Sequence, residues 1–515
     1  MLCGRPGLGV DTESQSRLMQ VLGLTKLSSH TAGHALLYYG PAVLMLLWPA
    51  IYNGAPLVFS DTIAYAAAPA RREVPDFISP YYGLFIYPLH LQTSLWPVVI
   101  AQAVMISHLL RLTTRAVLGE SASNVTLLSI VGGLCLFTGL PWFTSQIMPD
   151  VFTGVVALGI FLLAFARTDL SRATCLYLIA LTTVAICVHL SHVPLALLSF
   201  ALAGLISWRF CGTSVRGLTA SAIPVVLGPM LLILFSAATS GQIAFAKNGN
   251  VFLLAKLMAE GPAYSYLESA CPEQGYRLCP FLPDMRGKSA DELKWSGSSP
   301  LHLAGSTDQL EVEAREIVLH AILLAPGQLF AQALLDVGRQ LTRFQIGDAL
   351  DANYARMTVQ HLNEVFGPAA AASVASSKQA EGDLPLRTTR VLANLGLSVA
   401  LIATVWAAFR RHAFPKKLVL VASFGLAFCV ADAVVTGALS GPYDRYLARA
   451  VWLICFAGFL LIAEVWRIKP DLNVTPLEPP VRKINREGIA ILSKRRVGNR
   501  RARRTDANID AWQVR

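Results

Sequence analysis

Charge is scarce in this sequence. Only 15% of its 515 residues are Asp, Glu, Lys or Arg, against about 25% in soluble domains. That shortage excludes an ordinary soluble protein of this length, which would split into two or three domains with polar linkers. The signatures of nucleotide and hydrolase chemistry are missing too. There is no Walker-A loop, no GxGxxG opening a helix, no GxSxG elbow and no HExxH helix. ATP hydrolysis within this chain is therefore not expected. The first 29 residues are mixed and polar and lack the apolar core and small-residue cleavage site of a signal peptide, so the first spanning helix is expected to do the targeting. No internal repeat is evident.

Apolar residues take the place of the missing charge. They make up 54% of the chain, and the mean hydropathy is +0.51. They come in separate blocks, each about as long as a bilayer demands of a helix. The expected spans are 36–52, 95–112, 125–143, 151–166, 173–190, 193–208, 218–236, 391–409, 418–439 and 447–466. The expected fold is thus all-α, a polytopic membrane protein of about ten transmembrane helices. Of nine cysteines, Cys135, Cys175, Cys187, Cys211, Cys429 and Cys455 lie in or beside apolar blocks, where a thiol acts as a small hydrophobe. Cys271 and Cys279 stand close together in a polar segment. They are a disulfide candidate if that segment faces an oxidising compartment.

Loop charge gives the helices a direction, because Lys and Arg collect on the cytoplasmic side. With a cytoplasmic N-terminus, the inner segments hold Arg5, Arg17 and Lys26, Arg111 and Arg115, Arg167 and Arg172, Arg209 and Arg216, and Arg410, Arg411, Lys416 and Lys417. The chain from Arg467 onward adds thirteen more. The short outer segments hold only Arg71, Arg72 and Arg445. Both termini are therefore expected inside. The division reads as an N-terminal segment 1–34, a membrane part 35–236 with a long first outer loop 53–94, a large outer loop 237–389, a second membrane part 390–467 and a basic tail 468–515. In the large loop, 310–324 repeats apolar residues at helical spacing (Leu310, Val312, Ile317, Val318, Ala321, Ile322), and 327–344 does the same. Both are expected as amphipathic helices at the membrane surface. The Ala/Ser-rich stretch 369–377 reads as a short helix or linker. The basic stretch 482–504 reads as drawn to anionic lipid rather than to nucleic acid.

Polar residues beside or inside the apolar blocks carry the chemistry. Asp61 follows Phe59-Ser60 in the first outer loop, where it either caps a helix or serves as an active carboxylate. Asp150 ends the second outer turn with the same two readings. His189 and His192 flank the third outer turn, where they are interfacial side chains or reach a ligand together; zinc would need further ligands. Asp432 lies within the ninth span and needs a partner or a wet cavity. Arg445, between Tyr443 and Tyr446, either clamps a phosphate or carboxylate, or pairs with Asp444.

This arrangement resembles the GT-C glycosyltransferases, integral membrane enzymes that use polyprenyl-phosphate-linked sugars. The resemblance rests on many spans, a cytoplasmic N-terminus, an acid early in the first outer loop and a second acid in the next outer turn. It covers the first four spans best. It implies Asp61 and Asp150 as catalytic acids, and Arg445 as the contact to the donor phosphate. Tyr446, His189, His192 and Asp432 then line the substrate site. Partners would be the polyprenyl-phosphate sugar and membrane lipid, and the location a cell inner membrane with the site facing the periplasm. The resemblance assigns no certain cofactor and leaves a divalent cation open. Many members carry an acidic pair in the first loop, whereas here Thr62 follows Asp61. The alternatives are an O-antigen polymerase or ligase, which relies on Arg and His of a large outer loop (here Arg277, Arg286, Arg315, Arg339 and Arg343), or a transporter.

Overall fold

The ten apolar blocks fold as helices, two of the blocks in two pieces each, and serine caps begin two of the long helices. Ser123 accepts from the Thr126 amide, and Ser171 from that of Thr174, which satisfies backbone donors that a helix start leaves free. A computed structural model describes residues 29–468, except 75, 121, 211–214 and 411–413. The first 28 residues, Cys211, Arg411 and the tail beyond 468 lie outside the described residues. The long helices are α1 Ser29–Leu46, α2 Trp96–Leu118, α3 Asn124–Phe137, α4 Phe152–Phe165, α5 Arg172–Cys187, α6 His192–Phe210, α7 Val215–Ser240, α8 Leu386–Phe409, α9 Lys416–Leu439 and α10 Asp444–Ile468. No strand occurs among the described residues; Leu57 and Gln146 form an isolated parallel bridge.

Six of these helices are long and apolar enough to cross a membrane: α2, α6, α7, α8, α9 and α10. The other four are shorter apolar helices. Two of the expected spans are broken by local chemistry. The block 36–52 divides between α1 and a short helix, Trp48–Asn53, with a proline in its first turn. The block 125–143 divides between α3 and Leu140–Thr144, where Thr138 is extended and Pro141 opens the new turn. Proline suits such a start, where its missing N–H would be unsatisfied anyway, although Pro41 of α1 and Pro224 and Pro229 of α7 lie within continuous helices.

Helix α4 forms the centre. Every residue from Phe152 to Ala164 is buried, as expected of a helix apolar all round. Trp452 of α10 fits against Gly154 of α4, where any side chain would collide with the indole. Such close approach at small residues is how membrane helices pack without a hydrophobic driving force between them. Helices α7 and α8 lie at the periphery, with Val226, Leu234, Val391 and Ile402 exposed.

The large loop is folded. Helices Gly249–Glu260, Pro262–Gln274 and Thr307–Leu324 share their own core, which includes Leu254, Leu267, Leu293, Leu310 and Ile317. Here Cys271 and Cys279 are joined as a disulfide. The apolar stripe expected of 310–324 is split: Leu310, Ile317, Val318 and Ala321 face this core, while Val312 and Ile322 are exposed. Asp76 of the first loop ties the lobe down through Asn248 (3.0 Å) and Thr307 (2.9 Å). The later part of the large loop forms Ala352–Phe366 and Pro368–Ala375, and Leu362, Phe366 and Val374 join the main core.

Candidate functional site

The first loop and the turn before α4 are held together by backbone. The Leu57 amide donates to Ser145 O at 2.9 Å, and the Ile147 amide to Leu57 O at 2.9 Å. Thr62 Oγ1 accepts from the Phe59 amide at 2.9 Å and donates to Ile147 O at 3.1 Å. Buried Gln102 of α2 donates to Thr144 O at 2.9 Å and Gln146 O at 3.0 Å. Gln379 brackets Val58 from the other side, donating to its carbonyl at 2.8 Å and accepting from its amide at 3.1 Å. Buried amides so fully paired make a rigid support. It places Asp61 and Asp150 at one end of the bundle.

Neither acid caps its helix. Asp61 occupies the N-cap position of Thr62–Arg71, yet its side chain makes no capping bond. Its carboxylate accepts from the Ser60 hydroxyl at 2.9 Å. Burial raises the Asp61 pKa above the usual carboxylate value; Arg445 and the Ser60 bond pull it down, and Asp150 pushes it up. Asp61, Asp150 and Arg445 therefore lie within electrostatic reach of one another. Asp150 sits in the tight turn Pro149–Val151, almost fully buried, and serves no cap at the start of α4.

The partner of Asp150 is Arg449. Its Nη1 donates to Asp150 Oδ1 at 3.1 Å, and its Nη2 donates to Asp432 Oδ1 at 3.2 Å and to Ser191 Oγ at 3.1 Å. All three charged side chains are buried. Asp432 thus has the counter-charge that its depth in α9 demands. Two carboxylates share one guanidinium, and Asp432 Oδ2 and Arg449 Nε keep no partner.

Backbone contacts decide the protons of the two histidines. The Ser191 amide donates to His189 Nδ1 at 3.2 Å, so that nitrogen is an acceptor. The Ser191 hydroxyl meets the same nitrogen at 2.8 Å. His192 Nδ1 faces Ala185 O at 2.6 Å and must donate, which leaves Nε2 to accept from Thr153 at 2.9 Å. Both His192 nitrogens are committed, so the rings, 5.1 Å apart, do not present a pair of free ligand nitrogens. Among the described residues, no group of three or more His, Cys, Asp or Glu is placed to hold a metal ion.

Arg445 precedes Arg449 by one helical turn. Its guanidinium lies over Phe59 at 4.7 Å and Tyr446 at 5.1 Å from the ring centres. Its Nη1 is buried without a hydrogen-bond partner. Asp444, the neighbour that might have neutralised it, instead accepts from the Gln345 amide at 2.8 Å. Tyr446 meets Ser440 through its hydroxyl at 2.8 Å. Tyr443 donates to Asp291 of the folded lobe. Burial alone would raise Asp291, but the Tyr443 bond and Lys294 outweigh it and hold its pKa below the usual value.

A cleft opens beside Arg445, lined by Trp142, Gln146, Ile346, Asp348 and Leu350. It encloses about 250 Å³, open solvent included.

Two residues at this site carry a signal in the sequence that hydropathy overlooks. Arg449 is an arginine just inside an apolar span, four residues after Arg445 and so on the same helical face. Phe59 announces itself only through its place two residues before Asp61. Cys271 and Cys279 belong to the folded lobe and take no part in the acid–arginine group. Compared with family models, curated proteins and solved structures, the chain matches none.

Proposed function

We propose that this chain is an integral-membrane glycosyltransferase of the GT-C kind. It would take a sugar from a polyprenyl-phosphate donor and pass it to an envelope glycan, lipid or protein at the periplasmic face of a cell inner membrane. In this reading all ten apolar helices lie within the bilayer, with both chain ends in the cytoplasm. The observation that carries the reading is the release of Asp61 from capping, together with its electrostatic coupling to Asp150 and to Arg445. A carboxylate free of structural duty, beside a half-buried guanidinium with an unpartnered nitrogen, suits transfer from a phosphate leaving group.

The proposed step is a single displacement. The acceptor hydroxyl gives its proton to Asp61 as its oxygen bonds to the anomeric carbon. The bond from that carbon to the phosphate oxygen breaks, and its electron pair leaves with the lipid phosphate. Arg445 stabilises the charge that grows there. Attack opposite the leaving group inverts the anomeric centre, by the logic known for glycoside hydrolysis. Asp150, held by Arg449, keeps Arg445 and the acid-bearing turn in register.

Asp61→Asn and Arg445→Ala, each checked for membrane insertion, test the reading by transfer from a polyprenyl-phosphate sugar. A loss of about 10²–10⁴-fold is expected for Asp61→Asn, the range a general base contributes. Full envelope-glycan modification by that variant sinks the enzyme reading. The buried Asp150–Arg449–Asp432 group favours a second reading, a transporter, because buried charges inside a membrane bundle often mark ion pathways. In that case Asp432→Asn abolishes substrate movement while glycan transfer is never detected.

A further inference from the structure

Residues 317–335 contain no Asp, Glu, Lys or Arg, a run of nineteen. That is the length of a membrane helix, yet the run is bent in its middle. Thr307–Leu324 and Pro326–Leu341 are long and apolar enough to span a membrane only when taken together, and they meet at 94°. Pro326 removes the backbone donor that would have continued the first helix. Charges stand at both borders of the run, Glu316 before it and Asp336 after it.

The two arms are fixed by their inner faces. The first buries Ile317, Val318 and Ala321 in the core of the folded lobe. The second packs on α9, where Gly437 faces the backbone of Asp336 and Val337. Asp336 also pairs with Lys256 at 3.6 Å and Arg339 at 3.0 Å. The opposite faces have no cover. Leu319, Leu323 and Leu324 are exposed on the first arm, and Phe330, Leu334 and Leu335 on the second. Leu323 is 70% exposed and Phe330 is 67% exposed. An uncovered patch of six large apolar side chains seeks an apolar neighbour.

We propose that this bent hairpin dips into the acyl layer of the membrane and that lipid chains cover its apolar edge. Continuity with the bundle identifies the occupant. The second arm lies directly on α9, a candidate span whose Leu426, Val430 and Val434 form an exposed apolar stripe at four-residue spacing. If α9 crosses the bilayer, the hairpin beside it meets the same lipid. The absence of charge along 317–335 meets the demand that hydrocarbon makes of a segment. Both arms are helical, so their backbone groups are paired internally, as they must be there.

Lipid contact at this edge reaches the site through hydrogen bonds. Gln340 at the end of the second arm donates to Tyr443 O at 2.9 Å and accepts from the Tyr443 amide at 3.0 Å. Arg343 donates to Pro442 O at 2.7 Å. The second arm and the residues just after it are therefore bonded to the turn that leads into α10, where Arg445 sits.

Nitroxide labels at Leu323→Cys and Phe330→Cys, with Gln309→Cys as an exposed polar control on the first arm, test the proposal in liposomes. Unsubstituted chain labelled in parallel supplies the baseline. The ratio of collision with oxygen to collision with a water-soluble nickel chelate should be at least about tenfold higher at 323 and 330 than at 309, a factor worth about 1.4 kcal/mol of partitioning. Ready access of the chelate to 323 and 330 overturns the proposal. So does spin–spin broadening with access to neither reagent, which would show a second copy of the chain on this edge. Both positions are on the surface; if either variant fails to insert, Leu334→Cys, 56% exposed, replaces it.

Discussion

Asp150 and Arg449 stand 299 residues apart in sequence and meet at 3.1 Å with both side chains buried. The same guanidinium also holds Asp432 at 3.2 Å. Removing it strands two carboxylates where water cannot reach them. Breaking a buried pair by deleting one partner costs about 3–5 kcal/mol, so Arg449→Met should lower the unfolding midpoint in detergent markedly. Asp432→Asn should cost less, because the Arg449–Asp150 contact survives and one buried charge is removed. Equal losses for the two variants would refute this account of the group.

The acid limb of the pH–activity profile should report Asp61. Burial raises its pKa above the ordinary carboxylate value, and Arg445 offsets part of that rise. A base works only when deprotonated, so activity should fall as pH drops through the raised value. Neutralising Arg445 as Arg445→Gln removes the lowering influence, and the limb should move to higher pH. Arg445→Lys keeps the charge and should leave the limb near its original position, whatever happens to the rate. The sign for stability runs the other way: the fold favours the neutral carboxyl, and that contribution is lost as pH rises through the folded-state pKa. A limb that ignores residue 445 would detach Asp61 from the base role.

What could be read from the sequence, and what could not, follows from the range of each interaction. Helix positions are local and were legible, because a bilayer-length apolar block is a strong pattern. The breaks after α1 and α3 were not, since a hydropathy window averages over Pro49 and the Gly139–Pro141 turn. That Asp432 needs a partner was legible from its depth alone. Which partner was not, because a window that scores α10 as a span passes over Arg449. The anchoring of the turn that carries Asp61 was not legible either: the Thr62 hydroxyl takes the Phe59 amide and reaches Ile147. Only the pairing of two distant loops decides such a contact. The fold within the large loop was half legible: the apolar period along 310–324 was plain, but periodicity cannot say that one side of the stripe would face a protein core and the other be left open.

The folded lobe offers a prediction independent of any catalytic reading. The Cys271–Cys279 disulfide closes a loop with a sequence separation of eight. For so short a loop the chain-entropy relation gives about 2–3 kcal/mol. The bond joins the end of Pro262–Gln274 to the turn at Cys279–Phe281. Just beside it, the Arg277 amide donates to Glu313 at 3.0 Å and the Leu278 amide to the same carboxylate at 3.2 Å. Those bonds dock the loop on Thr307–Leu324, so losing the disulfide should loosen this docking first. The Cys271→Ser/Cys279→Ser protein should insert normally but be cut faster by protease between residues 270 and 290. The membrane helices should stay protected, because the core around this loop is built from residues outside α1–α10. Reduction of the unsubstituted protein should reproduce the effect, and equal protease resistance in all three forms would show that the lobe holds without the bond.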